Sequence, residues 1–358
     1  FFRYATQLGK KVLVLEKRNH IGGNCYDYVD ENGILVNLYG AHIFHTNIHR
    51  VWKYLQNYGR WKRWEHQVLA YVEDQFVSVP ANITTVNRLC NESIQTPEEM
   101  AEFLKRETIP CDEPQNSKDI ALSRVGPRLY EYLFRPYTQK QWNKDPSELK
   151  PSVLARIPVH ANFDSRYFTD KYQALPAQGY TSLFRNIFNH PNIMVKVDCD
   201  FFKVREQLKS YEHLFFTGPI DQFFADAGLP TLEYRSLRFE TTYMKNVNYF
   251  QPNSVVNYPG TKYPFTRIIE YKHFLTQKSP HTTIVKEFSS AEGEPYYPVP
   301  NDLNLSLYAK YQELAEKEER ENNVHFVGRL ANYKYFNMDG AIDNALSLFE
   351  KLENISYP

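Results

Sequence analysis

The sequence predicts an α/β fold in which a parallel sheet is interrupted by a helical insert and by an antiparallel sheet. Short apolar runs rich in strand-forming residues occur at 11–16, 193–197, 214–217 and 324–327, and two of them lead straight into a glycine. Such runs are typical of strands that are buried on both faces within one parallel sheet. Because long segments separate them, we expect one discontinuous α/β domain that carries inserts.

The first of these strands ends in an acid and is followed by a glycine turn. Val12–Leu15 leads into Glu16, and Gly22-Gly23-Asn24 comes shortly afterwards. In dinucleotide-binding folds, an acid at the end of the second strand hydrogen-bonds the adenosine ribose. Phe1 lies too close to this strand to leave room for a first strand and its phosphate-binding turn. Either the fold is of another kind, or the sequence begins partway through a helix of a longer protein.

The intervening segments have distinct patterns. Alternation from 68 to 79 predicts a hairpin. Thr96-Pro97-Glu98-Glu99 is a capping box with proline at the first helical position, and it opens a largely helical stretch that reaches residue 137. The segment from about 235 to 288, rich in Tyr, Thr, Val and Phe, predicts an antiparallel sheet. A last helix is predicted near the end of the chain, with Asp339 as its candidate cap.

These patterns predict three domains or inserts. The organisation is common when a cofactor lies in an α/β domain and inserts build a substrate site above it. We expect the α/β domain at 1–60, 180–225 and 302–358, the helical insert at 81–150, and the antiparallel substrate domain at 61–80, 151–179 and 226–301.

Composition excludes several classes of protein. Lys plus Arg and Asp plus Glu are both 42, so no overall field attracts nucleic acid or an anionic membrane. No apolar run approaches the ~20 residues of a membrane span. The four cysteines lack metal-type spacing and indicate free thiols in a reducing compartment. We therefore expect a cytoplasmic protein without a metal, a membrane partner or a nucleic-acid partner.

Two segments combine aromatic and polar side chains. His42 and His45 lie among aromatics after the glycine turn, and they are either satisfied loop imidazoles or partners of a cofactor ring. The segment 135–142 carries cations, amides, Tyr137 and Trp142. Pro136 should break a regular helix there, which predicts a loop that is either polar surface or a site for a base and a sugar.

Isolated arginines indicate an anionic ligand. Arg156, Arg267 and Arg329 each lie among aromatic or apolar neighbours. A planar guanidinium offers paired donors, so this set suggests a site for a doubly charged group such as a pyrophosphate. Three tyrosines could add neutral donors, although tyrosine clusters more often pack. They are Tyr167, Tyr297 and Tyr335.

A strand, a glycine turn, an aromatic loop and a helix follow one another from 324 to 341. A helix start gathers free backbone donors and a partial positive charge. In flavoproteins with two dinucleotide-binding motifs, such a helix start faces the flavin. An ordinary strand-to-helix connection is the alternative.

Together these motifs resemble the UDP-galactopyranose mutase family, from Lys10 to the last helix. The resemblance implies a Rossmann-like FAD-binding domain whose helical and antiparallel inserts complete a cleft for a UDP-sugar. It also implies a strand and a G-x-G-x-x-G turn upstream of Phe1. The phrases that carry it are Glu16-Lys17-Arg18-Asn19-His20-Ile21-Gly22-Gly23-Asn24, Tyr39 to Thr46, Tyr137 to Trp142, Pro264-Phe265-Thr266-Arg267, Pro295-Tyr296-Tyr297-Pro298 and Gly328 to Asp339.

The resemblance further implies an isomerase of galactofuranose biosynthesis. In that family N5 of reduced FAD attacks the anomeric carbon, and UDP-galactopyranose and UDP-galactofuranose interconvert. The positions that match the family's catalytic residues are Arg156, Arg267 and His45. The substrate-side matches are Tyr137, Trp142, Arg156, Tyr167, Arg267, Tyr297 and Tyr335. The FAD-side matches are Glu16, Lys17, Gly23, Asn24, His42, His45, Arg329, Met338 and Asp339.

Two alternatives remain open at this level. The first is a flavin-dependent oxidoreductase of the amine-oxidase type, which shares the strand that ends in an acid and the start of the C-terminal helix. Such an enzyme would have an apolar substrate funnel, whereas the isolated arginines indicate an anionic ligand. The second alternative is a non-catalytic UDP-sugar-binding protein. The sequence leaves open whether the sugar is galactose or N-acetylgalactosamine, which reductant acts, and the oligomeric state, for which a homodimer is our first expectation.

Overall fold

A computed structural model of the chain describes residues 2–155, 158–208 and 210–353. The chain divides into two compact units. The first unit comprises the residues up to Trp64, Asp170–Phe223 and the residues from Gln312 onward, and the second comprises Glu65–Thr169 and Phe224–Tyr311. Across the described ranges, no helix combines the length and the apolar character needed to cross a membrane.

Two parallel strand pairs form the α/β part of the first unit. Strand β1 (Val12–Leu15) pairs with β9 (Ile193–Lys196), and β10 (Leu214–Phe216) pairs with β16 (Val324–Phe326). All four predicted strands are therefore present. The prediction that they belong to one sheet is wrong for the described residues, because no backbone ladder joins the two pairs.

The prediction that the first strand is buried on both faces is also wrong. Leu13 and Met194 are register partners in the β1–β9 pair, so their side chains lie on the same face. They are 41% and 60% exposed. The face is therefore open to solvent at these two positions, which the apolar run alone could not reveal.

A small core of the first unit includes Phe44, Val51, Tyr180 and Leu183. A three-stranded antiparallel sheet has the order β4-β8-β5, and β2 and β3 form a separate antiparallel pair. The bounds are α1 Phe2–Gln7, β2 Asp27–Val29, β3 Leu35–Asn37, β4 Phe44–Thr46, α2 His49–Gln56, β5 Trp61–Arg63, β8 Tyr172–Pro176, α8 Tyr180–Phe188, α9 Phe201–Val204, α10 Ile220–Phe223 and α12 Met338–Glu353.

Helix α8 begins on a buried carboxylate from a distant part of the chain. Asp27 accepts hydrogen bonds from the backbone amides of Tyr180 at 2.5 Å and Thr181 at 2.9 Å. These amides have no partner within the helix, so the carboxylate satisfies them and interacts favourably with the helix dipole. Gly179 has a φ of 82°, and a Cβ there would lie 2.6 Å from an Asp27 oxygen. The close approach therefore requires glycine.

Helix α4 of the second unit begins where the sequence predicts. Thr96 and Glu99 form the capping box, with Thr96 Oγ1 3.2 Å from the Glu99 amide and Glu99 Oε2 3.2 Å from the Thr96 amide. The helices are α3 Ile83–Cys90, α4 Pro97–Glu107, α5 Ser117–Leu129, α6 Arg135–Trp142 and α7 Ser152–Ala155. Helix α11 spans Asp302–Asn322, and its residues up to Tyr311 are assigned to this unit.

The segment 135–142 is helical, so the prediction of a loop there is wrong. Pro136 lies in the first turn of α6, directly after a short π-helical stretch over Tyr130–Phe134. Proline is accommodated here because the π-helical turn before it departs from the regular i→i−4 hydrogen-bond pattern, and its fixed φ suits a helix. Residues 135–142 are therefore presented on a rigid helix.

The second unit also holds the main sheet. The predicted hairpin and the predicted antiparallel sheet are both confirmed, and they belong to one seven-stranded sheet of order β15-β11-β14-β13-β12-β6-β7. The β6–β12 pairing is parallel and joins the hairpin to the rest. The strands are β6 Val68–Val72, β7 Gln75–Val79, β11 Tyr234–Met244, β12 Val255–Asn257, β13 Arg267–Glu270, β14 Thr282–Ser290 and β15 Tyr297–Pro298.

Candidate active site

The acid at the end of β1 is part of a hydrogen-bonded group in the first unit. Glu16 Oε1 accepts the Arg18 amide at 2.9 Å, and the Arg18 guanidinium donates to Asn24 Oδ1 at 2.9 Å. The guanidinium carbon also lies 4.4 Å from the centre of the Tyr39 ring. Predicted residues Glu16 and Asn24 are thus brought together by Arg18, whereas Lys17 between them is exposed.

The glycine turn is held against the start of α12. Gly22 has a φ of 89°, and a Cβ there would lie 3.1 Å from the Phe184 ring. Residues Gly23–Cys25 form one turn of 3-10 helix, and the Cys25 thiol lies 3.7 Å from the Met338 sulfur. Because α12 begins at Met338, Asp339 lies in its first turn, so the prediction that Asp339 caps the helix is wrong.

The two predicted histidines have different partners. His42 Nδ1 lies 2.9 Å from the Gly40 carbonyl oxygen. Burial lowers the pKa of His42 to about 4, an effect that the positive charge of Arg329 reinforces and the Gly40 contact opposes. The imidazole is therefore neutral at neutral pH, and with its Nδ1 proton directed at the carbonyl, Nε2 carries no proton. This leaves His42 able to accept a hydrogen bond.

His45 pairs with a carboxylate that the sequence did not reveal. Its Nδ1 lies 2.9 Å from Asp170 Oδ2. His45 is on β4, opposite Gln173 of β8, and the Gln173 side-chain Nε2 donates to the Asp170 carbonyl oxygen at 2.9 Å. A carboxylate in this position fixes the orientation of the imidazole ring and its protonated nitrogen.

Arg329 lies between the last glycine turn and α12. Its Nε donates to the Phe336 carbonyl oxygen at 2.9 Å, and its guanidinium carbon is 5.1 Å from the centre of the Tyr335 ring. Gly328, with a φ of 104°, donates its amide to Asn332 Oδ1 at 2.9 Å. These contacts fix the loop that leads into the helix start.

In the second unit, Arg267 lies at the start of β13 beside a buried acid. Its Nε is 3.1 Å from Glu287 Oε1, and the two side chains are 30% and 4% exposed. Arg267 and Glu287 are register partners, and the preceding Thr266 donates its amide to the Glu287 carbonyl oxygen at 2.8 Å. Glu287 therefore compensates the charge of the arginine and fixes its position.

Three of the predicted tyrosines lie near Arg267. Burial acts to lower the pKa of Arg267, but Glu287 together with Tyr137, Tyr297 and Tyr167 raises it well above its ordinary value. The structure thus places three phenol groups within electrostatic range of Arg267.

Helix α6 contributes two predicted residues to this group. Tyr137 and Trp142 are both on α6, and the Trp142 ring centre lies 6.3 Å from that of Tyr297. The carbonyl oxygen of the intervening Gln141 accepts from Arg235 Nε at 3.1 Å, which fixes the end of the helix against β11. The two aromatic side chains are thereby held in a defined orientation.

The predicted residues therefore fall into two groups, one in each unit. The FAD-side residues and Tyr335 belong to the first unit, and the other described substrate-side residues belong to the second. Arg156 lies outside the described residues. Sequence reasoning missed Arg18 as an organising residue, as well as Asp170 and Glu287.

Comparison with protein families identifies the chain. A sequence model of UDP-galactopyranose mutase matches residues 132–335, more than half of the chain. The chain belongs to the UDP-galactopyranose mutase family. A model of an NAD(P)-binding Rossmann-like domain matches residues 2–58. The predicted Rossmann-like α/β class and the resemblance drawn from the motifs are both confirmed.

Individual members of the UDP-galactopyranose mutase family are similar over nearly the whole chain. A protein of Klebsiella pneumoniae named probable UDP-galactopyranose mutase is 38% identical over 350 residues, which cover 96% of this chain and 89% of that protein. The dTDP-fucopyranose mutase of Escherichia coli is 38% identical over 345 residues, covering 94% and 90%. A crystal structure of reduced UDP-galactopyranose mutase has a TM-score of 0.74 and 14% identity, covering 99% of this chain and 92% of that one, which supports the shared fold.

Proposed function

We propose that this chain is a UDP-galactopyranose mutase that interconverts UDP-galactopyranose and UDP-galactofuranose. The observation that carries the proposal is the Arg267 group, in which a charge-compensated arginine and three tyrosines lie together. Guanidinium and phenol groups are suitable donors for the oxygens of a diphosphate. Family membership supplies the reaction class.

The groups in the first unit fit FAD. Glu16 would hold the adenosine ribose, and the start of α12 would face negative charge with its unpaired amides. His42 supplies a neutral acceptor nitrogen, and Arg329 supplies a fixed cation. When bound in its reduced form, FAD supplies through N5 the nucleophile for the anomeric carbon.

The chain's own residues then position the substrate and stabilise its leaving group. Arg267 would bind the diphosphate, and its tyrosine neighbours would donate to the remaining oxygens. Tyr137 would stack on the uracil ring, and Trp142 would border the sugar. Arg156 and Tyr335 would add further diphosphate contacts. His45, oriented by Asp170, would be available to exchange a proton near the reacting sugar.

The deciding experiment compares the two redox states of the purified flavin-loaded protein. The dithionite-reduced form should convert UDP-galactofuranose into UDP-galactopyranose, as followed by chromatography, while the oxidised form should not. Turnover by the oxidised form alone would contradict the mutase proposal. Net oxidation of an amine with flavin reduction would instead support the amine-oxidase alternative.

A second nucleotide sugar should be tested in the same assay. The Escherichia coli relative named dTDP-fucopyranose mutase is as similar to this chain as the Klebsiella protein is. Reduced protein should therefore be offered dTDP-fucopyranose in parallel with UDP-galactopyranose. If kcat/KM were higher for the dTDP-sugar, the chain would still be a mutase, but its substrate would be dTDP-fucopyranose.

A further inference from the structure

Lys140 has an unusual environment in the second unit. Its Nζ lies 2.6 Å from the carbonyl oxygen of Tyr258, 2.7 Å from that of Gly260, 2.8 Å from that of Tyr263 and 3.2 Å from that of Phe265. We call these four oxygens the carbonyl cage. In the described part of the chain, no carboxylate pairs with Lys140.

The carbonyl cage belongs to a single turn. The turn connects β12 to β13, and it is closed by the register pair Asn257 and Arg267 and by a 2.8 Å hydrogen bond from the Tyr258 amide to the Thr266 carbonyl oxygen. Four carbonyl dipoles that converge on one point repel each other unless a cation lies between them. The ammonium of Lys140 therefore determines the conformation of this turn.

The same contact joins two parts of the nucleotide-sugar site. Tyr137 and Lys140 are three residues apart on α6, so they lie on the same side of the helix. Arg267 is the first residue of β13, immediately after the turn. The end of α6 is fixed separately, because the Gln141 carbonyl oxygen accepts hydrogen bonds from Arg235 and Ser289.

We propose that Lys140 is a positioning residue for nucleotide binding: by filling the carbonyl cage, it holds the turn before Arg267 against the helix that carries Tyr137. The proposal rests on the function proposed above and deepens it. Lys140 does not need to touch the substrate. It sets the relative positions of the groups that bind the base and the diphosphate.

The charge of Lys140 is sensitive to mild alkali. Burial lowers the pKa of its ammonium to about 8. Above this pH the amine loses its charge and one of its three donors, so the carbonyl cage is no longer neutralised. Affinity for the nucleotide should therefore weaken as the pH rises through this value.

The test compares Lys140→Met with Lys262→Met in the flavin-loaded protein. Lys262 lies on the same turn, but its side chain is 73% exposed. In Lys140→Met, the Kd for UDP and the KM for UDP-galactopyranose should each rise by about tenfold or more, with a smaller change in kcat and an unchanged flavin spectrum. Lys262→Met should match the wild type. An unchanged Kd in Lys140→Met would overturn the proposal.

Chemical rescue separates positioning from a general loss of structure. Lys140→Ala removes Cγ, Cδ, Cε and Nζ, which propylammonium can replace. Added propylammonium should recover most of the lost UDP affinity in Lys140→Ala and have no effect on Lys262→Met. Failure of rescue in a folded Lys140→Ala protein would contradict the role of the carbonyl cage.

The wild-type protein provides a test that needs no variant. Its Kd for UDP should rise between pH 7 and pH 8.5, around the pKa of about 8 and below the range in which the uracil ring of UDP itself ionises. A flat profile would overturn the proposal, even if the substituted proteins failed to fold. If the wild type bound no UDP and showed no mutase turnover, the proposed function itself would fail. Wild-type UDP binding with an unaffected Lys140→Met would refute only the role of Lys140.

Discussion

At the scale of single residues, two candidate reactive side chains are held by partners that are distant in sequence. His45 pairs with Asp170, and Arg267 pairs with Glu287. A histidine or arginine among aromatics can be recognised in the sequence as a candidate. Its partner cannot, because the strand register that brings the two together is determined by the whole fold.

The role of Asp170 can be tested directly. Asp170→Asn keeps the shape of the side chain but removes the charge that orients His45. We expect mutase turnover to fall by about tenfold, with little change in KM and with full flavin content. The exposed carboxylate of Asp112 offers a control, since Asp112→Asn should behave as the wild type. Wild-type turnover in Asp170→Asn would show that His45 needs no such orientation.

His42 should make the fold sensitive to acid. Its folded-state pKa of about 4 lies below the ordinary value of 6.5, so the unfolded chain binds more protons between these values. The free energy of unfolding should therefore decrease as the pH falls through this window, by roughly 1–3 kcal/mol for this group.

Denaturant unfolding of the wild type and of His42→Gln between pH 4 and pH 7 measures this contribution. The dependence of unfolding free energy on pH should be shallower in His42→Gln. His49→Gln, at an exposed histidine, should retain the wild-type slope. Parallel curves for the wild type and His42→Gln would exclude His42 as the source.

At the scale of elements, local signals predicted the helices and strands well. The capping box at Thr96, the hairpin over 68–79 and the four short apolar strands are all found. The errors arose where context outweighs a local rule. Pro136 follows a π-helical turn that accommodates it, and Leu13 is open to solvent.

Helix α5 contains a kink that depends on one glycine. Gly126 has a φ of 74° and a ψ of 174°, a conformation largely restricted to glycine. A Cβ there would lie 2.3 Å from the Glu107 carbonyl oxygen. The sequence Gly126-Pro127 marks a break, but it does not reveal this contact with the end of α4.

Substitution by alanine should separate backbone strain from steric conflict. Gly126→Ala should lower the free energy of unfolding by about 3 kcal/mol or more. Gly228 also has a positive φ, 71°, but has open space around the Cβ position. Gly228→Ala should cost only about 1 kcal/mol. Equal losses in thermal or denaturant unfolding would contradict an added cost from the Gly126 backbone conformation and its contact with Glu107.

At the scale of the whole molecule, the two groups of site residues lie in different units. This division predicts that nucleotide and flavin binding can be impaired separately. Arg267→Ala should weaken UDP binding by about a hundredfold while flavin content stays near that of the wild type. Calorimetry with UDP and the flavin absorbance spectrum measure the two properties. Simultaneous loss of flavin would argue against this division.

The sequence named candidate residues in both groups but not their internal organisation. Motif resemblance selected Glu16, Tyr137 and Arg267 because their neighbours form recognisable phrases, and their roles stay predictions. It could not locate the carbonyl cage, since main-chain oxygens carry no sequence signal and Lys140 resembles any surface lysine of a helix. The expected homodimer stays a prediction, which light scattering can test.

The parallel pairing of β6 with β12 has a consequence for synthesis of the protein. Val68 pairs with Val255, so the β6 edge has no partner in the sheet until the second segment of this unit leaves the ribosome. Likewise β10 cannot pair with β16 before Phe326 has been made. Contacts so distant in sequence form slowly, and unpaired strand edges favour aggregation. The β6–β7 hairpin of a nascent chain therefore keeps one edge exposed until β12 has been made. Chaperones can protect that edge during this time.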